Sequence, residues 1–141
     1  MLHRPSVPST CIQSHDDLHQ MWHAIRDPWV KSDSRLRFVL MDARGKPWPF
    51  PIEIDVSPAT DRDRLALVLD IMADMMADLA PGGSLAVQIV STAGVGGGDF
   101  STQWAEVISS ELAKRNLDRW PMYATDGTQL IDVRSLVAAR G

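Results

Sequence analysis

Apolar residues recur along this chain with two different periods. Between residues 14 and 26, Leu18, Trp22 and Ile25 share one helical face, with Met21 beside them. Ser14-His15-Asp16-Asp17 reads as a capping box at its start, and Asp27-Pro28 ends it. The next run, Leu36 to Met41, is rich in branched and aromatic residues and predicts a strand. Asp42 to Lys46 then predicts a hairpin turn, with Gly45 supplying a positive φ. The return segment 47–54 carries Pro47, Pro49 and Pro51 at alternate positions. Each removes a ladder donor on one side, so this is an edge strand.

The helical period returns over 61–79 after a second box, Thr60 to Asp63. Leu65, Val68, Met72, Met75, Met76 and Leu79 form its expected buried face, and Pro81-Gly82-Gly83 stops it. Leu85 to Val90 is a nearly continuous apolar run, as in a central strand covered on both faces. A loop over 92–100 leads to a helix at about 102–115 that buries Trp104, Val107, Ile108 and Leu112. The runs 120–124 and 129–133 flank the turn signal Asp126-Gly127, and a short helix, Arg134 to Arg140, closes the chain. The order α-β-β-α-β-α-β-β-α predicts an α/β (mixed α+β) sheet covered by helices, three layers in one domain. The crossover 85–124 is expected to be right-handed. Residues 1–12, with Pro5 and Pro8, read as a flexible arm before a domain over 13–141.

Composition narrows the function classes. A length of 141 residues suits one domain with one real core. The formal charge of -4 and scattered Arg and Lys give no pull toward nucleic acid or anionic lipid. No apolar run reaches a membrane span, and the start lacks a signal core, so a cytoplasmic protein is expected. The lone Cys11 allows neither an internal disulfide nor a cysteine zinc cage.

Several groups invite a chemical reading. His15, His19 and His23 follow one another at i+4 on the first helix, a spacing that chelates zinc or nickel pairwise. Two turns span roughly 12 Å, too far for one ion to meet all three, so they read as surface residues and no metal site is assigned. The glycine-rich stretch between strand 85–90 and its helix offers backbone donors for an anion. The residues Ser91, Gly94, Gly96, Gly97, Asp99 and Ser101 are its candidate ligand-binding set. It matches neither Gly-x-Gly-x-x-Gly nor a Walker loop, and Asp99 puts negative charge where phosphate would lie. No Gly-x-Ser-x-Gly elbow is present, no catalytic residue is assigned, and no cofactor is implied. Of five Trp, Trp22 and Trp104 fall on apolar helix faces. Trp29, Trp48 and Trp120 stand beside prolines at element ends, where a Trp either closes the core edge or anchors an interface. Trp48 and Trp120 are the candidate anchors.

The run from Ser91 to Trp104 resembles the zinc motif of JAB/MPN (RadC-like) domains. That motif is His-x-His, seven residues, Ser, two residues, Asp. Here Ser91-Thr92-Ala93 stands at His-x-His, Gly94 to Phe100 fills the spacer, Ser101 coincides with the serine, and Trp104 replaces the aspartate. Glu53 corresponds to the family's upstream glutamate. The resemblance implies a JAB-like scaffold without its metal ligands, hence without zinc-activated water. The expected role is a non-catalytic module that binds a protein partner or forms a homodimer. The alternative is a small-ligand or nucleotide binder, or an enzyme, using the crevice at 91–101.

Overall fold

The computed structural model describes residues 10–25, 34–49, 51–56, 61–90, 99–125 and 130–133. Helices α1 (His15–Ala24), α2 (Arg62–Leu79) and α3 (Asp99–Lys114) accompany strands β1 (Ser34–Met41), β2 (Ile52–Val56), β3 (Ser84–Val90), β4 (Tyr123–Thr125) and β5 (Leu130–Asp132). The strands form one mixed sheet in the order β2-β1-β3-β4-β5. Only β3 and β4 pair in parallel, joined by the crossover through α3. The expected α/β architecture, with β3 in the middle and β2 at an edge, is the observed one.

Alternation along the strands splits the core into two layers. Leu36, Phe38 and Leu40 of β1, with Leu85, Val87 and Ile89 of β3, meet Leu65, Leu69, Met72 and Met76 of α2 and Trp104, Ile108 and Leu112 of α3. Val39, Met41 and Ala86 point the other way, onto Leu18, Met21 and Trp22 of α1 and onto Trp120. Successive side chains of a strand point to opposite faces, so this two-sided burial requires β1 and β3 to be apolar nearly throughout.

The local signals act as expected, with shifts. Ser14 Oγ accepts from Asp17 N at 3.1 Å, and Asp17 Oδ2 reaches back to Gln13 N at 3.0 Å, one residue before the cap. On α2 the cap is Asp61, not Thr60, its carboxylate accepting from Arg64 N at 3.1 Å. An aspartate is as good a cap as a threonine, so the two adjacent signals were equivalent. Gly45 has φ +85, and a Cβ there would strike the Ile12 carbonyl, whose own N–H donates to Gly45 O at 2.7 Å. Ile12 is thereby tied down and only 3% exposed, at the end of the stretch expected to be a free arm.

Two boundaries and one burial differ from expectation. The return segment makes a single bridge, Pro47 to Met41, and becomes a strand only from Ile52, with the pairing shifted by two residues. A shift of two residues keeps every side chain on its own face of the sheet. Helix α3 starts at Asp99, so Asp99 and Ser101 belong to its first turn. Leu79, expected in the core, is 69% exposed at the last residue of α2, while Leu69 and the capping Ala80 are buried. The closing helix 134–140, the Asp126-Gly127 turn and residues 1–9 lie outside the described residues. Among the described residues no helix is long and apolar enough to cross a membrane.

Candidate functional site

One polar side chain from every strand falls on a single row across the sheet. The register pairs Glu53 with Arg37, Arg37 with Gln88, Gln88 with Tyr123, and Tyr123 with Asp132. Residues in register share a face. Arg37 has the parity of Val39 and Met41, so the row lies on the α1 side. Arg37 is 2% exposed; its Nε donates to Glu53 Oε1 at 2.8 Å and its Nη1 to Gln88 Oε1 at 2.8 Å. Arg35 Nη1 donates to the other oxygen, Glu53 Oε2, at 3.0 Å. Each carboxylate oxygen thus accepts from a guanidinium. A buried guanidinium is tolerable only when paired in this way. Glu53, the residue matched to the family's upstream glutamate, serves here as a counter-ion and cross-strand tie.

The three histidines of α1 lie beside this row and make aromatic contacts. His19 lies 5.7 Å from the Tyr123 ring and 4.7 Å from His23, and His15 meets Trp120 edge-on at 6.1 Å. Among the described residues no group of three or more His, Cys, Asp or Glu is placed to hold a metal ion. Trp120, read as a candidate interface anchor, is 8% exposed and belongs to the α1-side core. Its indole N–H donates to Ser84 Oγ at 2.9 Å, and Arg119 covers the ring at 5.1 Å. The chain direction after α3 turns this ring inward, which proximity to Pro121 does not reveal. Trp48 is half-buried against the α2–α3 core, and its backbone N–H donates to Leu40 O at 2.8 Å.

The seam between α2 and α3 holds a second polar centre. Glu111 is 3% exposed and meets Arg62 at 2.7 Å, Lys114 at 2.8 Å and Arg115 at 3.1 Å; Arg115 also pairs with Asp70 at 2.8 Å. The Lys114 hydrogen bond holds the Glu111 carboxyl down to about 2. Burial opposes it, and the Arg115 and Arg62 hydrogen bonds and the Lys114 charge add to it. Arg115 is shifted up, first by its Asp70 hydrogen bond. A carboxylate ionised at every ordinary pH clamps two helices and transfers no proton.

The third feature is apolar. Leu67 is 62% exposed and Ile71 54%, which with Leu79 makes three large exposed hydrophobics on α2. At 100° per residue, Leu67 and Ile71 fall on the flank turned away from α3, with the partly buried Met75 and Val68 between them and the core face. The sequence carried this signal as an i, i+4 row of Leu67, Ile71 and Met75 beside the expected core stripe. Its helix has more apolar positions than one sheet contact can cover.

Of the candidate ligand set, Ser91, Gly94, Gly96 and Gly97 lie outside the described residues, as do the side chains of Asp99 and Ser101. A depression of about 180 Å³ beside α1, lined by Thr10, Ile12, Asp17, Gln20, Met21 and Ala24, is smaller than ordinary small-molecule sites. No protein-family model, curated protein or solved structure matches the chain.

Proposed function

We propose that this chain is a non-catalytic protein-interaction module, a JAB-like scaffold without metal ligands, that acts in the cytoplasm by self-association. The observation that carries this reading is the exposed apolar flank of α2, with Leu67 62% and Ile71 54% open to solvent on one helix. An aligned apolar patch rimmed by charge is the mark of a contact surface, whereas isolated exposed leucines are not. Trp104, at the position of the family's ligand aspartate, is 2% exposed in the core and offers no donor atom to a metal. Glu53 is held by Arg35 and Arg37.

Two measurements test this reading. Sedimentation of the full chain should show concentration-dependent association, and a chain monomeric up to about 500 μM overturns it. Elemental analysis of protein purified without an affinity tag should find no stoichiometric zinc. One zinc per chain, lost on Ser101→Ala or Asp99→Asn, overturns the non-catalytic part.

A further inference from the structure

Helix α2 carries its charges in two blocks. Arg62 and Arg64 stand in its first turn on either side of an exposed Asp63, and Asp70, Asp74 and Asp78 occupy its second half. Arg62 and Asp70 are spent on the α3 seam, against Glu111 and Arg115. Arg64, Asp74 and Asp78 are exposed and enter no ion pair among the described residues. Arg64, Ile71 and Asp78 are spaced by seven, so they form a line along the flank that drifts only about 20° per heptad. Leu67, Val68 and Met75 lie to either side of that line.

We infer that two copies of this chain pair through α2, antiparallel, about a two-fold axis passing through Ile71. This deepens the self-association reading and rests on it. Turning one helix end for end about Ile71 sets Arg64 of each copy opposite Asp78 of the other and Leu67 opposite Met75. The helix dipoles also oppose favourably. A parallel pairing would set Asp78 against Asp78 and Arg64 against Arg64. The flank is therefore its own complement in charge and in apolar positions, which is what a two-fold interface requires. One helix flank per copy lies below the roughly 1,200–2,000 Å² of a standard interface, so a dissociation constant on the order of tens of micromolar is expected.

The experiment is sedimentation equilibrium of the full chain and its variants from about 5 to 500 μM. Arg64→Asp and Asp78→Arg singly should each raise the dissociation constant about tenfold, and the double exchange should restore it, since each pair then re-forms reversed. Ile71→Asp, placing two carboxylates on the axis, should raise it at least about a hundredfold with the melting temperature unchanged. In a Cys11→Ser background, Ile71→Cys should form a disulfide dimer on oxidation. Arg64→Cys should not, because its two copies stand about 21 Å apart. A dimer indifferent to all these changes overturns the α2 pairing while leaving self-association standing. A chain monomeric throughout overturns both.

Discussion

Arg37 donates to Gln88 Oε1 at 2.8 Å across the β1–β3 pair, and both side chains are only 2% exposed. Two polar groups are thus placed in the middle of a sheet whose other central positions are apolar. They are stable there because each satisfies the other and Glu53 neutralises the guanidinium.

The costs of removing the two members should therefore be coupled. Gln88→Leu leaves a buried donor of Arg37 without its acceptor and is expected to lower stability by about 1–3 kcal/mol. Adding Arg37→Leu should cost less than the sum of the two single changes. Urea denaturation of the four proteins checks this. Strict additivity would mean that the bond contributes nothing.

Glu111 gives the fold an acid-side dependence. Its carboxyl is held at about 2 in the folded chain and returns to about 4.5 on unfolding. Because the folded value is the lower, the associated stability is complete above about pH 4.5 and is lost as pH falls toward 2. Glu111→Gln should flatten the melting temperature of the full chain between pH 5 and pH 2. An unchanged slope would count against the clamp.

Trp120→Ala should act on folding and not on association. Its ring fills the α1-side core and its N–H reaches Ser84, so a loss of about 3–5 kcal/mol is expected. The dimer dissociation constant, measured below the new melting temperature, should stay within about twofold. A selective loss of association with unchanged stability would return Trp120 to the role of an interface anchor.

The prolines lead into the edge strand β2 and are expected to keep that edge unpaired. Trp48 N donates inward to Leu40 O, so the flanking Pro47 and Pro49 occupy positions whose N–H would face outward. Replacing Pro47, Pro49 and Pro51 by Val in an Ile71→Asp background should raise light scattering with concentration. Scattering equal to the parent would remove that protective role.

Much of this molecule is a local matter and was readable along the chain. The period of Leu18, Met21, Trp22 and Ile25, the caps at Ser14 and in the Thr60–Asp61 pair, and the turn glycine Gly45 act within a few residues, so neighbours in sequence suffice. The apolar run of β3 already implied a strand with two covered faces, and the prolines implied an edge. Tertiary structure alone decided what depends on register and on how far a partner layer extends. Arg37, Gln88 and Glu53 are widely separated in sequence and meet only because β1 lies between β2 and β3. Burial of Trp120 against the α1-side core and exposure of Leu79 at the end of α2 are settled by the packing of distant elements, which no periodicity encodes. The α2 flank belongs to both levels. Its apolar row and blocks of charge are written in the sequence, but its openness is set by a sheet that occupies only the other side of that helix.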